Sequence, residues 1–96
     1  MSHITCQNLI NSGLSWKLEG HVGRTCMAAL EDGACMLGPE AGQDYWGNFV
    51  PSRSMVKEGA PGSRQWVVEN YGEDHAQELE LVPCTPMIEA LISEEN

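Results

Sequence analysis

Basic residues are scarce in this 96-residue chain. Five Lys and Arg face fourteen Asp and Glu, which gives a formal net charge of −9. After Arg64 the sequence has eight acidic residues and no Lys or Arg. Because nonspecific nucleic-acid binding depends on neutralising phosphates with basic side chains, we do not expect direct nucleic-acid binding. The acidic final third is typical of a solvated face, or of a surface for a basic protein partner, including one that itself holds nucleic acid.

Long apolar runs and paired cysteines are also missing. No stretch approaches the ~18 apolar residues of a membrane span, and the N-terminus lacks the basic head and apolar block of a signal peptide. The four cysteines, Cys6, Cys26, Cys35 and Cys84, form no C-x-x-C pair and have no His at zinc-finger spacing. We therefore expect a cytoplasmic protein with reduced, buried cysteines and no metal or cofactor.

Catalytic motifs are absent as well. The sequence contains no G-x-S-x-G, no H-E-x-x-H and no paired-carboxylate motif. Cys26 and His21 are five residues apart, a poor spacing for contact on a regular helix. Glu73, Asp74 and His75 are consecutive, so their side chains point in different directions and favour a solvated turn over a metal site. We predict that the protein is not an enzyme.

The first half of the chain alternates between helical and extended patterns. Apolar spacing over 4–12 predicts a helix that Gly13 ends. Alternating apolar and polar residues predict a strand over 14–19. A second helix begins at Thr25 or a preceding glycine, continues through Asp32 and ends at Gly33. Residues 34–37, ACML, read as a short buried strand, and 38–44 as a loop.

Three of the six aromatic residues crowd into the next segment. Tyr45-Trp46 and Phe49-Val50 flank Gly47-Asn48, a pair that favours a tight turn, so we predict a β-hairpin over 45–50. Residues 53–57 extend its second strand, and 58–63 form a loop.

The last third predicts helices. Ser63 caps a helix over 64–71 that Gly72 closes, although the WVV run leaves a strand open as the alternative. Helix continues through 73–82. A final helix starts at Thr85-Pro86 and has an apolar stripe of Met87, Ile88, Leu91 and Ile92. These elements predict a single α+β domain over 1–96, with a small antiparallel or mixed sheet packed against three to four short helices.

The aromatic hairpin is the main candidate binding surface. Its rings either anchor the core or contact a partner, because exposed aromatic residues are frequent interface anchors. Arg53 and Arg64 flank the following loop and are placed to stack or pair across a contact. We predict a partner-binding set that combines the hairpin with the acidic third: Tyr45, Trp46, Phe49, Arg53, Glu73, Asp74 and Glu78.

A weaker candidate is the glycine-rich stretch 20–25, GHVGRT. It lies between a predicted strand and a predicted helix, where free backbone N–H groups bind anions. Gly23, Arg24 and Thr25 would form that site. The stretch departs from a phosphate-binding loop, since Leu18 stands where the first glycine belongs and an arginine replaces the lysine.

Residues 20–63 resemble small uncharacterised proteins of actinobacterial phages. The parts that carry the resemblance are GRTCMAALEDGACMLG and DYWGNFVPSR. The resemblance implies a viral origin and expression inside a bacterium. It implies no particular activity, so no residue roles are transferred from it.

We therefore predict a small acidic protein that acts by binding another protein, such as a host factor that it modulates or inhibits. Two alternatives stay open from the sequence. One is a self-assembling structural or virion component, which would form homo-oligomers. The other is a binder of small anions that uses residues 20–25.

Overall fold

The computed structural model describes residues 2–17, 21–44 and 46–85. Within them the chain forms five helices and one two-stranded antiparallel sheet, which confirms the predicted α+β class with more helix than expected. The elements are α1 (His3–Ser12), α2 (Leu14–Lys17), α3 (His21–Asp32), β1 (Gly42–Gln43), β2 (Phe49–Val50), α4 (Arg64–Tyr71) and α5 (Glu73–Glu80).

Helix α1 matches its prediction at both ends. The Ser2 side chain accepts a hydrogen bond from the backbone N–H of Thr5 at 3.2 Å, which caps the first turn. Gly13 ends the helix with a left-handed φ of 82°, a conformation that costs other residues more. The predicted apolar stripe, which includes Leu9 and Ile10, is buried.

The strand predicted over 14–19 is wrong in its described part. Leu14–Lys17 forms one helical turn, α2, and the remaining positions lie outside the described residues. The Trp16 N–H donates to the carbonyl of Gly13 at 3.3 Å, so the chain turns again directly after α1. In this turn, Leu14 and Trp16 both pack on the buried apolar cluster that contains Leu9 and Val22. Alternation over so few residues does not distinguish a strand from a turn that buries both apolar side chains.

Helix α3 begins at His21, which excludes the predicted start at Thr25 and agrees with the alternative start near a preceding glycine. Val22, Cys26 and Leu30 form its buried face, as the spacing indicates. Gly33 follows the last residue with φ 89° and ends the helix as predicted. The described part of the glycine-rich stretch, residues 21–25, is therefore the beginning of a helix.

Residues 35–37 are buried, but the segment 34–37 does not form a strand with a sheet partner. The Cys35 and Leu37 side chains enter one core cluster, whereas Met36 enters another, so the side chains alternate as in a strand. The backbone is bonded outside any sheet: Leu37 N–H donates to the Gly62 carbonyl at 2.9 Å, and the side chain of Gln7 binds Met36.

The predicted hairpin is present, with its first strand shifted toward the N-terminus. Gly42 pairs with Val50 and Gln43 with Phe49, so β1 lies at 42–43 instead of 45–46. The shift follows from Asp44, whose carboxylate accepts hydrogen bonds from the N–H groups of Trp46 and Asn48 at 2.9 and 2.8 Å. These bonds make 44–48 a closed loop.

The predicted extension of the second strand through 53–57 is wrong. The chain turns there, and the Met55 N–H donates to the Ser52 carbonyl at 3.0 Å. Pro51, directly after β2, has no N–H with which to continue the ladder.

Helices α4 and α5 confirm the predictions for 64–80 and exclude the strand alternative. The Ser63 hydroxyl accepts from the Trp66 N–H at 3.2 Å, and Gly72 separates the two helices. Within α4, Val67 is fully buried, whereas Asn70 and Tyr71 are exposed. The helix predicted from Pro86 onward lies outside the described residues.

Two apolar clusters form the core. The larger one contains Cys6, Leu9, Ile10, Val22, Cys26, Leu30, Cys35 and Leu37. The smaller contains Met36, Val67, Ala76 and Leu79. Three cysteines are buried as predicted, whereas the prediction is wrong for Cys84, which is exposed. Its segment lies against the polar side of α1, where Asn8 donates to the carbonyls of Pro83 and Thr85.

Candidate protein-binding groove

An open groove of about 480 Å³ lies between α3 and the hairpin. We call it the apolar groove. Its main apolar residues are Met27 and Leu30 of α3, Phe49 and Val50 of β2, and Val56 and Pro61 of the following loop. Two carboxylate residues, Glu31 and Asp44, also line it. The volume falls in the range of ~300–1,000 Å³ that is typical of ligand sites.

The groove combines a buried floor with exposed walls. Leu30 and Leu37 belong to the larger core cluster, which holds the floor in place. Met27 is 48% exposed and Phe49 62% exposed. Exposed apolar side chains that adjoin one another around a concavity are typical of interaction surfaces, whereas isolated ones are ordinary.

The carboxylates give the groove a negative charge. Backbone N–H donation from Asn48 is the largest of several hydrogen-bond contributions that keep the pKa of Asp44 below its usual value, so this group stays ionised. Glu31 lies exposed one turn after Met27 on α3. No Lys or Arg is among the described residues that line the groove.

The hairpin rings do not anchor the core, so that reading is wrong for the described part of the cluster. Trp46 is 75% exposed, and Phe49 lies on the groove wall. The loop that joins the two hairpin strands is closed at Asp44. Its carboxylate accepts from the Asn48 N–H, and its own N–H donates to the Asn48 carbonyl at 2.9 Å. Because backbone bonds hold the loop, its shape does not depend on burying the rings. Tyr45 lies outside the described residues.

Arg53 is engaged within the chain. Its Nε donates to the Leu37 carbonyl at 2.8 Å, and a terminal nitrogen donates to the Asn11 side chain at 3.3 Å. Burial lowers the pKa of this guanidinium below its usual value. The structure therefore places Arg53 as a link between the loops and α1.

The acidic candidates lie on α5, which packs against α4. Arg64 makes a bidentate contact with Glu73, at 2.6 and 3.2 Å, and its Nε donates to Glu80 at 2.7 Å. The two bonds from Arg64 to Glu73 lower the pKa of the Glu73 carboxyl. Glu78 lies 2.7 Å from the His3 ring, and Asp74 is exposed. The described members of the predicted partner-binding set thus lie on three parts of the fold: the hairpin, the loop that holds Arg53, and α5.

The anion candidates Gly23, Arg24 and Thr25 lie within α3. In a helix that begins at His21, Gly23 is the last position with a free N–H, so the N–H groups of Arg24 and Thr25 bond inside the helix. In the described residues 21–25, helix takes the place of the loop on which this prediction depended.

Three thiols meet inside the larger core cluster. Hydrogen bonds with Cys6 raise the pKa of Cys26 and Cys35 above the usual value, and burial acts in the same direction. Cys26 and Cys35 are therefore protonated core residues, whereas the hydrogen bonds with these two thiols lower the pKa of Cys6. In the part of the chain that the structure describes, no three His, Cys, Asp or Glu residues are arranged to hold a metal. No helix in those same ranges is long and apolar enough to cross a membrane.

The groove residues on α3 were missed by sequence reasoning. The helical pattern that buries Val22, Cys26 and Leu30 leaves Met27 off the buried face, and an apolar residue there is the signal that was available. Val56 and Pro61 gave no such signal, since both lie in irregular segments whose position depends on tertiary contacts.

The chain stands apart in comparisons with known proteins. No protein-family model, curated protein or solved structure matches it. The functional argument therefore depends on the groove itself.

Proposed function

We propose that the protein acts by binding another protein, and that the apolar groove is the binding site. The observation that carries the proposal is the exposure of Met27 and Phe49 on facing elements around one concavity. Aromatic and Met side chains are enriched in interface centres, where a few of them supply most of the binding free energy. Following the phage resemblance, we propose a bacterial host protein as the partner.

Two features support binding over catalysis at this site. The groove residues supply apolar area and two carboxylates, with no nucleophile beside a base. The carboxylate of Asp44 is already bonded to the loop amides, so it serves the hairpin structure.

Site-specific photo-crosslinking tests the proposal. A photoreactive phenylalanine analogue at Phe49 is expected to trap one protein from host lysate, identified by mass spectrometry. The same analogue at exposed Gln77 on α5 serves as the positional control. The trapped protein is then purified, and its affinity for the chain is measured by calorimetry.

Matched truncations decide whether the groove carries the binding. The double variant Met27→Ala and Phe49→Ala is expected to weaken affinity about 30-fold or more, the size of effect that interface anchors give. Leu81→Ala is the control, because Leu81 is 84% exposed and lies outside the groove. Equal weakening by both changes, or no protein trapped from Phe49, would refute the proposal.

A further inference from the structure

We infer that the partner contributes to the apolar groove a short segment whose bulky apolar side chains are flanked by Lys or Arg. This inference rests on the proposed function and names the chemistry of its partner. The groove has one carboxylate residue on each wall, Glu31 on α3 and Asp44 at the start of the hairpin loop. An apolar segment that also carries positive charge complements both features.

Loop amides hydrogen-bond the Asp44 carboxylate, but no basic side chain of the described lining neutralises either carboxylate. Arg53 bonds to Leu37 and Asn11, and Arg64 pairs with the acidic side chains of α5. The described lining contains no basic side chain. The neutralising charge is therefore expected from the bound segment.

The same charges argue against a second copy of the chain as the occupant. Each copy carries a net charge of −9, so self-association through a carboxylate-lined groove would bring like charges together. Like-charge juxtaposition at an interface is strongly unfavourable. An anionic ligand, such as nucleic acid or an acidic lipid surface, is disfavoured for the same reason.

The groove is sized for a segment and not for a whole domain face. A volume of about 480 Å³ accommodates a few side chains. Leu30 and Leu37 form a rigid apolar floor, so two or three bulky side chains from the partner would supply the affinity, and the flanking charges would set orientation and specificity.

Three synthetic peptides test the inference with the intact chain. They share one amphipathic 12-residue pattern of Leu with Lys, Gln or Glu, and their binding is measured by fluorescence anisotropy. The Leu/Lys peptide is expected to bind at least about threefold more tightly than the Leu/Gln peptide, as exposed ion pairs allow. The Leu/Glu peptide is expected to bind most weakly. Added salt should weaken binding of the Leu/Lys peptide and leave binding of the Leu/Gln peptide nearly unchanged.

Reversing the charge of Glu31 then tests whether the preference for a basic peptide arises at the groove. Glu31→Lys is expected to weaken the affinity for the Leu/Lys peptide about threefold to tenfold and to increase the affinity for the Leu/Glu peptide. Glu69→Lys on α4 makes the same change in net charge outside the groove and is expected to have a smaller effect. The double variant Met27→Ala and Phe49→Ala should bind both the Leu/Lys and the Leu/Gln peptides more weakly than the wild type does.

The outcomes separate this inference from the proposed function. Equal binding of the Leu/Lys and Leu/Gln peptides overturns the inference, as does equal weakening by Glu31→Lys and Glu69→Lys. No binding of any peptide at millimolar concentration overturns it too. None of these results affects the crosslinking at Phe49 or the matched truncations with the trapped protein, which together decide whether the groove binds a protein.

Discussion

The side-chain amide of Gln7 binds both backbone polar groups of Met36. Its Nε2 donates to the Met36 carbonyl at 2.9 Å, and its Oε1 accepts from the Met36 N–H at 2.9 Å. Gln7 and Met36 are both fully buried. A helix side chain thus takes the place of a neighbouring strand and satisfies the peptide groups of a buried, irregular segment.

Replacing this amide is predicted to be costly. Gln7→Leu keeps an apolar volume in the core but leaves a buried N–H and a buried carbonyl without partners. We expect the free energy of unfolding to fall by about 2–4 kcal/mol, since each unsatisfied buried group costs about 1–3 kcal/mol. Urea denaturation followed by circular dichroism measures the change. Gln77→Leu, at an exposed site on α5, is the control and should alter stability by less than about 0.5 kcal/mol. Similar losses in both variants would contradict the role of Gln7.

The hairpin loop is predicted to depend on pH through Asp44. Hydrogen bonds lower the pKa of this carboxyl from the usual 3.8, so its ionised form is favoured in the folded protein. Its contribution to loop stability is complete above pH 3.8 and is lost as pH falls through the lower folded value. NMR titration of the Trp46 and Asn48 amide signals should therefore show a midpoint below 3.8. Asp44→Asn should remove that transition, and a wild-type midpoint at or above the usual value would contradict the prediction.

We predict that Cys84 reacts with thiol reagents much faster than the three buried cysteines do. Cys84 is exposed, whereas the other three cysteines are buried in the folded protein. Because a disulfide reagent must reach the sulfur, one thiol should react quickly and three only at the rate of unfolding. A chromogenic disulfide reagent at neutral pH measures these reaction rates. Unfolding the protein in guanidinium should make all four thiols react quickly. Cys84→Ser should abolish the fast phase. A second fast thiol in the wild type would mean that the larger core cluster opens readily.

Helix ends were the features most accurately predicted from the sequence. Gly13 and Gly33 end α1 and α3, and Ser63 starts α4 at the expected position. These signals are local, because a capping hydroxyl or a left-handed glycine acts within one turn of its own backbone. Burial of Cys6, Cys26 and Leu30 also followed from spacing alone.

The errors share a physical origin in tertiary contacts. Leu14–Lys17 has a strand-like pattern, yet packing against the larger core cluster makes it a helical turn. The first hairpin strand lies earlier than predicted because Asp44 binds the loop amides, a contact between side chain and backbone that apolar alternation does not reveal. The groove was found only in part: Phe49 was a candidate from its sequence, whereas Glu31 and Met27 belong to the site because α3 lies beside the hairpin.

The separation of the core into two clusters affects how cooperatively the chain unfolds. Met36 is the member of the smaller cluster that comes from outside α4 and α5. Polar bonds, such as that from the Trp66 indole to the Glu31 carbonyl at 3.0 Å, also join this helical pair to the rest. Met36 brings the buried segment 35–37 into the smaller cluster beside these polar bonds. The all-or-none character of the melting transition therefore depends on this methionine together with those bonds.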